Sequence, residues 1–475
     1  MATARIVLRL LVLASAAYGQ EIPPGPYVSS LSASSRALLV EPAAVVLPTP
    51  RTGCPHEQAG LLTWHEASTW PSGELPTAGA NVTLPAASRV LLSSSLVGAL
   101  GLLIIPAGSE LIIGEGIAGS PIALQAVGVI VRGALRAGSA TCRLESPVGI
   151  TLHGARPATA AARAAQPPWF KGIYVEGGTL DLHGKHYHRT WARLARSVEP
   201  GDDVVLLQAA VNWEVGQRIV LVTTALKDAR DWHRNEEATI AELLLPASGL
   251  PDGVGAAVRL TAPAQYAHEA NDGYQGEVGL LSRTISVSGA SEDSEPTDTL
   301  PVACAASRTV LGSSTVPCAH SFLTGYGGHI LITGSGAVGR VSGVELLRMG
   351  QTNVLGRYPF HLHLLGDEGA HSYLRDSSVY HSYYRCASLH GTNHATLSQN
   401  VAYDVIGYCF YLEDGVEEYN SIEFNLAAFV HFLGAPARST NQWIESTAQV
   451  HARMAACMQY AHVTGPSVDR GCAAV

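Results

Sequence analysis

Gly356–Leu364 reads GRYPFHLHL and sets His361 and His363 two residues apart in an apolar run. On a strand, residues i and i+2 leave the same face, so both imidazoles would project together. A second run, CASLHG, carries His390, and a third, YLEDGVEEYN, carries Glu413, Asp414 and Glu417. Imidazole with carboxylate is a donor set for zinc or another borderline divalent ion. The same groups also suit proton transfer. An HxH spacing says little by itself; what matters is whether the three runs lie over one another.

Sliding the sequence against itself indicates that they do. An offset of 23 lays Tyr380 on Tyr403, Cys386 on Cys409, Leu389 on Leu412 and His390 on Glu413. An offset of 27 lays Leu362 on Leu389 and His363 on His390. Repeats of this length, with one apolar column beside one polar column, predict a solenoid of parallel strands. Rungs stack about 4.8 Å apart. Leu362, Leu389 and Leu412 then form an inward ladder, and His363, His390 and Glu413 an outward column with His361 beside it. A slip of one residue would exchange the faces. His329, in GGHILIT, precedes His363 by a less regular 34 residues and reads as structural.

Two chemistries fit the column, besides a neutral hydrogen-bonded ladder with no chemistry at all. One is a single divalent metal ion on His361, His363, His390 and Glu413. The other is catalysis by His363, His390, Glu413 and Asp414, because glycoside hydrolysis needs an acid and a base or nucleophile. Glu417 and Asp376 would stand near them in the inferred stack. A lyase would instead need a base and a cation facing a uronate, which Arg357, Arg375 and Arg385 would supply as binders of an anionic glycan. For each arginine, an ion pair within the sheets is the plainer reading. Cys386 and Cys409 are either a disulfide or two stacked buried thiols.

The elements that position these groups are strands. Of the 475 residues only 15% are charged, with 48 glycines and 26 prolines. Short valine, leucine and isoleucine runs end at Gly, Pro or Ser, a strand-and-turn texture. A net charge of −9 without a basic stripe argues against nucleic-acid binding. Residues 1–19 read as a secretory signal peptide, and no later run is long and apolar enough to span a bilayer. Export predicts disulfides among the eight cysteines, with Cys304 and Cys318 favoured as a pair. Asn81-Val82-Thr83 is a glycosylation sequon. Residues 20–53 read as linker, 54–190 as a glycine-rich β module, and 191–320 as a β-rich middle region. That middle region contains a more polar, partly helical excursion near WEVGQRIVLVTTALKDARDWHRNEEATI and a low-complexity insert at 286–320. A parallel β-helix follows over 321–450, then a divergent tail, 451–475.

WPSGELPTAGANVTLP, GALGLLIIPAGSELIIG and VIVRGALRAGS resemble the G8 domain. VELLRMGQTNVLGRYPFHLHLLGD, SYLRDSSVYHSYYRCASLHGTN and NVAYDVIGYCFYLEDGVEEYN resemble the β-helix of G8-containing extracellular proteins. That group includes the cell-migration-inducing hyaluronidase, transmembrane protein 2, and fibrocystin with fibrocystin-L. The resemblance implies an all-β fold: a right-handed parallel β-helix of the pectin-lyase type, preceded by and continuous with the G8 module. It implies a secreted or extracellular protein whose partner is a glycan or a cell surface. Two functions follow from the group: hydrolysis or depolymerisation of a polysaccharide, as in the hyaluronan-degrading members, or non-catalytic adhesion, as in fibrocystin.

Overall fold

The computed structural model describes residues 51–225, 233–244, 249–271, 273–294, 302–303, 317–318, 325–352 and 354–431. The expected signal peptide, nearly all of the linker, Cys304, the tail from 451 and most of the 286–320 insert lie outside the described residues. Two compact units are present among the described residues: one contains Tyr187–Ser282, the other residues 51–186 with the described residues of 283–431.

The larger unit is a parallel β-helix. A nine-stranded sheet runs from Leu62–Thr63 to Ser421–Glu423, and a fourteen-stranded sheet supplies the remaining walls. Each turn of chain visits the walls in order, as Tyr373–Arg375, Ser378–Ser382 and Ala387–Thr392 do before Thr396–Ser398 rejoins the first. Strands of the G8 region and of the histidine-bearing region share both sheets, so the two segments form one continuous stack.

The register is the one the repeats predict. Leu362 pairs with Leu389 and His363 with His390, while Leu389 pairs with Leu412 and Tyr380 with Tyr403. Leu362 and Leu389 are fully buried, whereas Leu412 is 37% exposed. The inward ladder therefore loosens at its last rung, because Leu412 sits on the outermost described strand of that wall. Trp64 and Trp70 pack edge to face at 4.8 Å inside the core.

Corners are built from repeated positions. Gly343, Asp376, Gln399 and Phe424 occupy equivalent places on successive rungs, with φ of 67°, 50°, 56° and 54°. A left-handed residue turns the chain from one wall to the next. Beside this corner runs an asparagine ladder. Asn400 accepts from Ser377 N at 3.1 Å and donates to Leu374 O and Asn425 Oδ1, both at 2.9 Å. Asn425 repeats the bond to Leu397 O at 2.8 Å. The side-chain amides satisfy backbone groups that a bend removes from the sheets. Asn400→Ala is expected to cost about 2–3 kcal/mol, read as a lowered urea midpoint with unchanged slope.

Two disulfides tie the described rungs, Cys54–Cys142 and Cys386–Cys409. The second settles the choice left open for that pair. Asn81 of the sequon is exposed, its Oδ1 accepting from Leu102 N at 2.8 Å.

Tyr187–Ser282 forms a six-stranded antiparallel sheet. Its end strands, Trp191–Arg193 and Val204–Leu207, meet through Gln208 N to Arg193 O at 2.9 Å and Ala195 N to Leu206 O at 2.8 Å. The sheet is thus a closed barrel, filled by Leu207, Trp213, Ile219, Ile240, Val258 and Leu280. The excursion expected to be partly helical is, in its described residues, strands Arg218–Leu221 and Glu236–Leu243. Barrel pairing overrides a sequence whose polar residues obscured its strand period.

Candidate metal and carboxylate site

Three adjacent parallel strands carry the column: β1 (Phe360–Gly366), β2 (Ala387–Thr392) and β3 (Phe410–Leu412). Leu362, Leu389 and their neighbours anchor β1 and β2 in the core, which forces the alternate residues outward. One outward line contains His361, Ser388 and Tyr411; the next contains His363 and His390, with Glu413 directly after β3.

His361, His363 and His390 converge. One ligand nitrogen from each lies within 4.8 Å of the other two. Ring centroids are 5.1 Å apart for His361 and His363, 4.7 Å for His363 and His390, and 6.1 Å for the stacked His361 and His390. His361 is buried, and the other two are half-buried, so the cluster opens to solvent on one side.

Hydrogen bonding sets which nitrogen carries a lone pair. His361 Nδ1 stands 2.9 Å from Gly356 O. A carbonyl only accepts, so the proton sits on Nδ1 and Nε2 keeps its lone pair. His361 Nε2 makes no hydrogen bond, and neither does the buried Nδ1 of His363. Asp414 Oδ2 lies 3.0 Å from His390 Nε2, which favours a proton there and leaves Nδ1 facing Glu413 Oε2 at 4.0 Å. Burial holds His361 neutral, well below its ordinary value; the Gly356 carbonyl opposes this, and the neighbouring histidines reinforce it. Burial and then His390 lower His363 likewise. Neutral imidazoles aimed at one another with unsatisfied nitrogens are what a metal requires of its ligands.

Glu413 is held from three sides. Ser388 Oγ donates to Oε2 at 3.0 Å and Tyr358 OH to Oε1 at 3.2 Å. Arg385 donates to the Tyr358 hydroxyl at 2.6 Å and lies 3.5 Å from Oε1. The guanidinium is stacked 3.9 Å over Tyr411 and 4.8 Å over Tyr358. Oε2 therefore faces the imidazoles, 3.6 Å from His361 Nε2, while Oε1 is neutralised from behind. Tyr358 and Ser388 were not anticipated, since nothing in their own spacing marks them.

Other candidates lie elsewhere. Arg357 is buried, donating to Phe170 O, Gln166 O and Pro167 O, so it clamps a loop. Arg375 is on the nine-stranded sheet, 4.4 Å over Tyr373. Of the three arginines only Arg385 reaches the column. Asp376 is at a corner, accepting from Ser342 Oγ at 3.0 Å, and does not join Glu413. The Glu417 carboxylate accepts from the amides of Gly391, Asp414 and Val416. Burial alone would raise its pKa, but backbone amides, those of Asp414 and Gly391 first among them, outweigh burial and lower it. His329 accepts a fixed place under Gly172, 2.7 Å from Pro168 O, and burial lowers it to about 3. It stands outside the column.

The G8 domain model matches residues 69–195 and the CEMIP beta-helix model residues 325–467. The chain belongs to the G8-domain, CEMIP β-helix group. The second match continues past residue 450, where the likeness was expected to stop. Relatives of this G8 β-helix protein include a G8 domain-containing protein of Dictyostelium discoideum, 37% identical over 85% of this chain and 26% of that one. Human Fibrocystin-L is 32% identical over 77% of this chain and 9% of its own length. The G8 β-helix protein thus spans about a quarter or less of these relatives. A solved tailspike, gp49 of Pseudomonas phage LKA1, aligns with 68% of this chain and 46% of its own at 13% identity, with a TM-score of 0.17. Among the described residues, no helix is long and apolar enough to cross a membrane.

Proposed function

We propose that this G8 β-helix protein is an extracellular polysaccharide-acting protein whose His361, His363 and His390 hold one divalent ion. The observation that carries the reading is the convergence of three imidazoles, with buried nitrogens of His361 and His363 left without hydrogen bonds. Three nitrogen ligands with an open side are the arrangement of a catalytic zinc site, where a bound water loses its proton near neutral pH. Glu413 Oε2, 3.6 Å from His361 Nε2, would complete the set or serve as the base beside it. Asp414 and the Gly356 carbonyl orient His390 and His361 as outer partners.

A metal-free pair of carboxylates is the weaker alternative. Glu413 is engaged by Arg385, Tyr358 and Ser388, and Asp414 lies against His390. Neither is disposed as the free acid that glycoside hydrolysis needs.

Elemental analysis of the purified protein is expected to find one zinc-class ion per chain, removable by chelation. A panel of neutral and acidic polysaccharides incubated with the metal-loaded protein is expected to show depolymerisation that the chelated protein lacks. Absence of metal and of any glycan binding would favour the non-catalytic adhesion reading.

A further inference from the structure

The outward face of the nine-stranded sheet carries a line of charge that plays no part at the histidine column. Arg89, Glu110, Arg136, Asp181 and Arg340 stand on five consecutive strands of that wall, and Arg375 on the next. Leu111, Leu135, Leu180, Val341 and Leu374 alternate with them and fill the core, which turns the charged residues outward. The four arginines are scattered from 89 to 375, so no basic stripe shows in the sequence.

The two carboxylates are engaged within the line. Glu110 pairs with Arg89 Nε at 3.2 Å and with Arg136 at 3.3 Å. Asp181 accepts from Arg136, and from Arg340 Nε at 2.5 Å and its terminal nitrogen at 2.9 Å. A self-contained ion-pair ladder needs equal numbers of each sign, but here four guanidiniums meet two carboxylates. The excess faces solvent: the Asp181 side chain is 5% exposed, those of Arg89 and Arg340 32% and 33%. Arg375 is exposed, and among the described residues no carboxylate pairs with its guanidinium. That group lies 4.4 Å over the Tyr373 ring, whose hydroxyl is 2.8 Å from His183 Nε2. The next acid in its row, Glu423, is two strands further on. Arg143, at the same edge, is matched by Asp376 at 3.7 Å.

A guanidinium fork binds a carboxylate through two parallel hydrogen bonds. Arg89, Arg136 and Arg340 stand on alternate strands, about 9.6 Å apart in the stacking direction. Cations so spaced suit a chain whose own charges are sparse. A nucleic-acid duplex, with one charge every ~1.7 Å, would meet too few of them against a net charge of −9.

We infer that this face, from Arg89 to Arg375, is a second binding surface, for a linear polysaccharide that carries carboxylates and lies across the strands. It is on a different wall from the histidine column and does not depend on a metal there. Arg375, expected to face a uronate beside that column, has its role on this face instead.

The test is isothermal titration of the full chain with polygalacturonate and with dextran, before and after chelation. Polygalacturonate is expected to bind equally in both states, its log affinity falling linearly with log salt as counterions are released. Dextran is expected not to bind. Arg375→Gln, which unpairs no carboxylate, is expected to weaken polygalacturonate about three- to fivefold and to flatten the salt dependence. Arg340→Gln leaves Asp181 its bond from Arg136, and the double variant is expected to weaken binding tenfold or more with metal content unchanged. Full affinity in that double variant, or equal affinity for dextran, would overturn the inference. Binding lost on chelation would place the acidic chain at the column, overturning this surface and leaving the metal reading intact. Tighter binding of a DNA duplex than of polygalacturonate would overturn the choice of partner.

Discussion

His361→Ala is expected to abolish stoichiometric metal binding, with affinity falling by more than 100-fold. Changing an outer-shell partner of a metal site costs about 10- to 100-fold, and loss of a direct ligand costs more. His361 matters most because its geometry is the most determined: it is buried, and the Gly356 carbonyl fixes its proton on Nδ1. The direct readout is metal content after dialysis. A second readout separates metal loss from misfolding. Saturating metal at about 100 times its Kd stabilises a folded protein by about 2.7 kcal/mol. Chelation should therefore lower the Tm of the wild type and leave that of His361→Ala unchanged. An equal drop in both would mean that His361 is no ligand.

Arg385→Met is expected to destabilise the fold by about 3–5 kcal/mol, the cost of leaving a buried carboxylate unpaired. The side chains of Arg385 and Glu413 are only 9% and 12% exposed. The arginine also covers the Tyr411 ring and orients the Tyr358 hydroxyl, so methionine replaces volume without charge or fork. Pairing the change with Glu413→Gln should recover part of the loss, because no charge then lacks a partner. Denaturant unfolding of the two single variants and the double variant gives the coupling. A fully additive double variant would show that the pair does not interact.

Much of this site was legible because a parallel coil repeats itself in sequence. The offsets of 23 and 27 placed His363, His390 and Glu413 in one column, and period two put His361 beside them. What escaped were contacts that no repeat encodes. Arg357 and Tyr358 are adjacent, yet one clamps the 166–170 loop and the other supports Glu413. Asp376 and Arg375 appear near the column in a linear stack but lie on another wall and its corner. Cys54 and Cys142 are 88 residues apart with no periodic relation to betray their pairing. The barrel went unseen for the same reason: closure by Arg193 and Gln208 depends on strands paired from a distance.

The rung register has an evolutionary corollary. Below His363 in the same line stands Thr333, whose strand is otherwise an ordinary member of the wall. Each rung contributes one letter to that line, and the core holding the rung is indifferent to which letter it is. On the metal reading proposed above, a lineage could therefore acquire or discard an ion site by a single codon change in one rung, with the scaffold kept. Descent from a common coil and possession of a reactive centre become separately heritable. If the proposed site is the functional one, the residues at 361, 363, 390 and 413, more than the overall likeness, sort catalysts from binders within such a lineage.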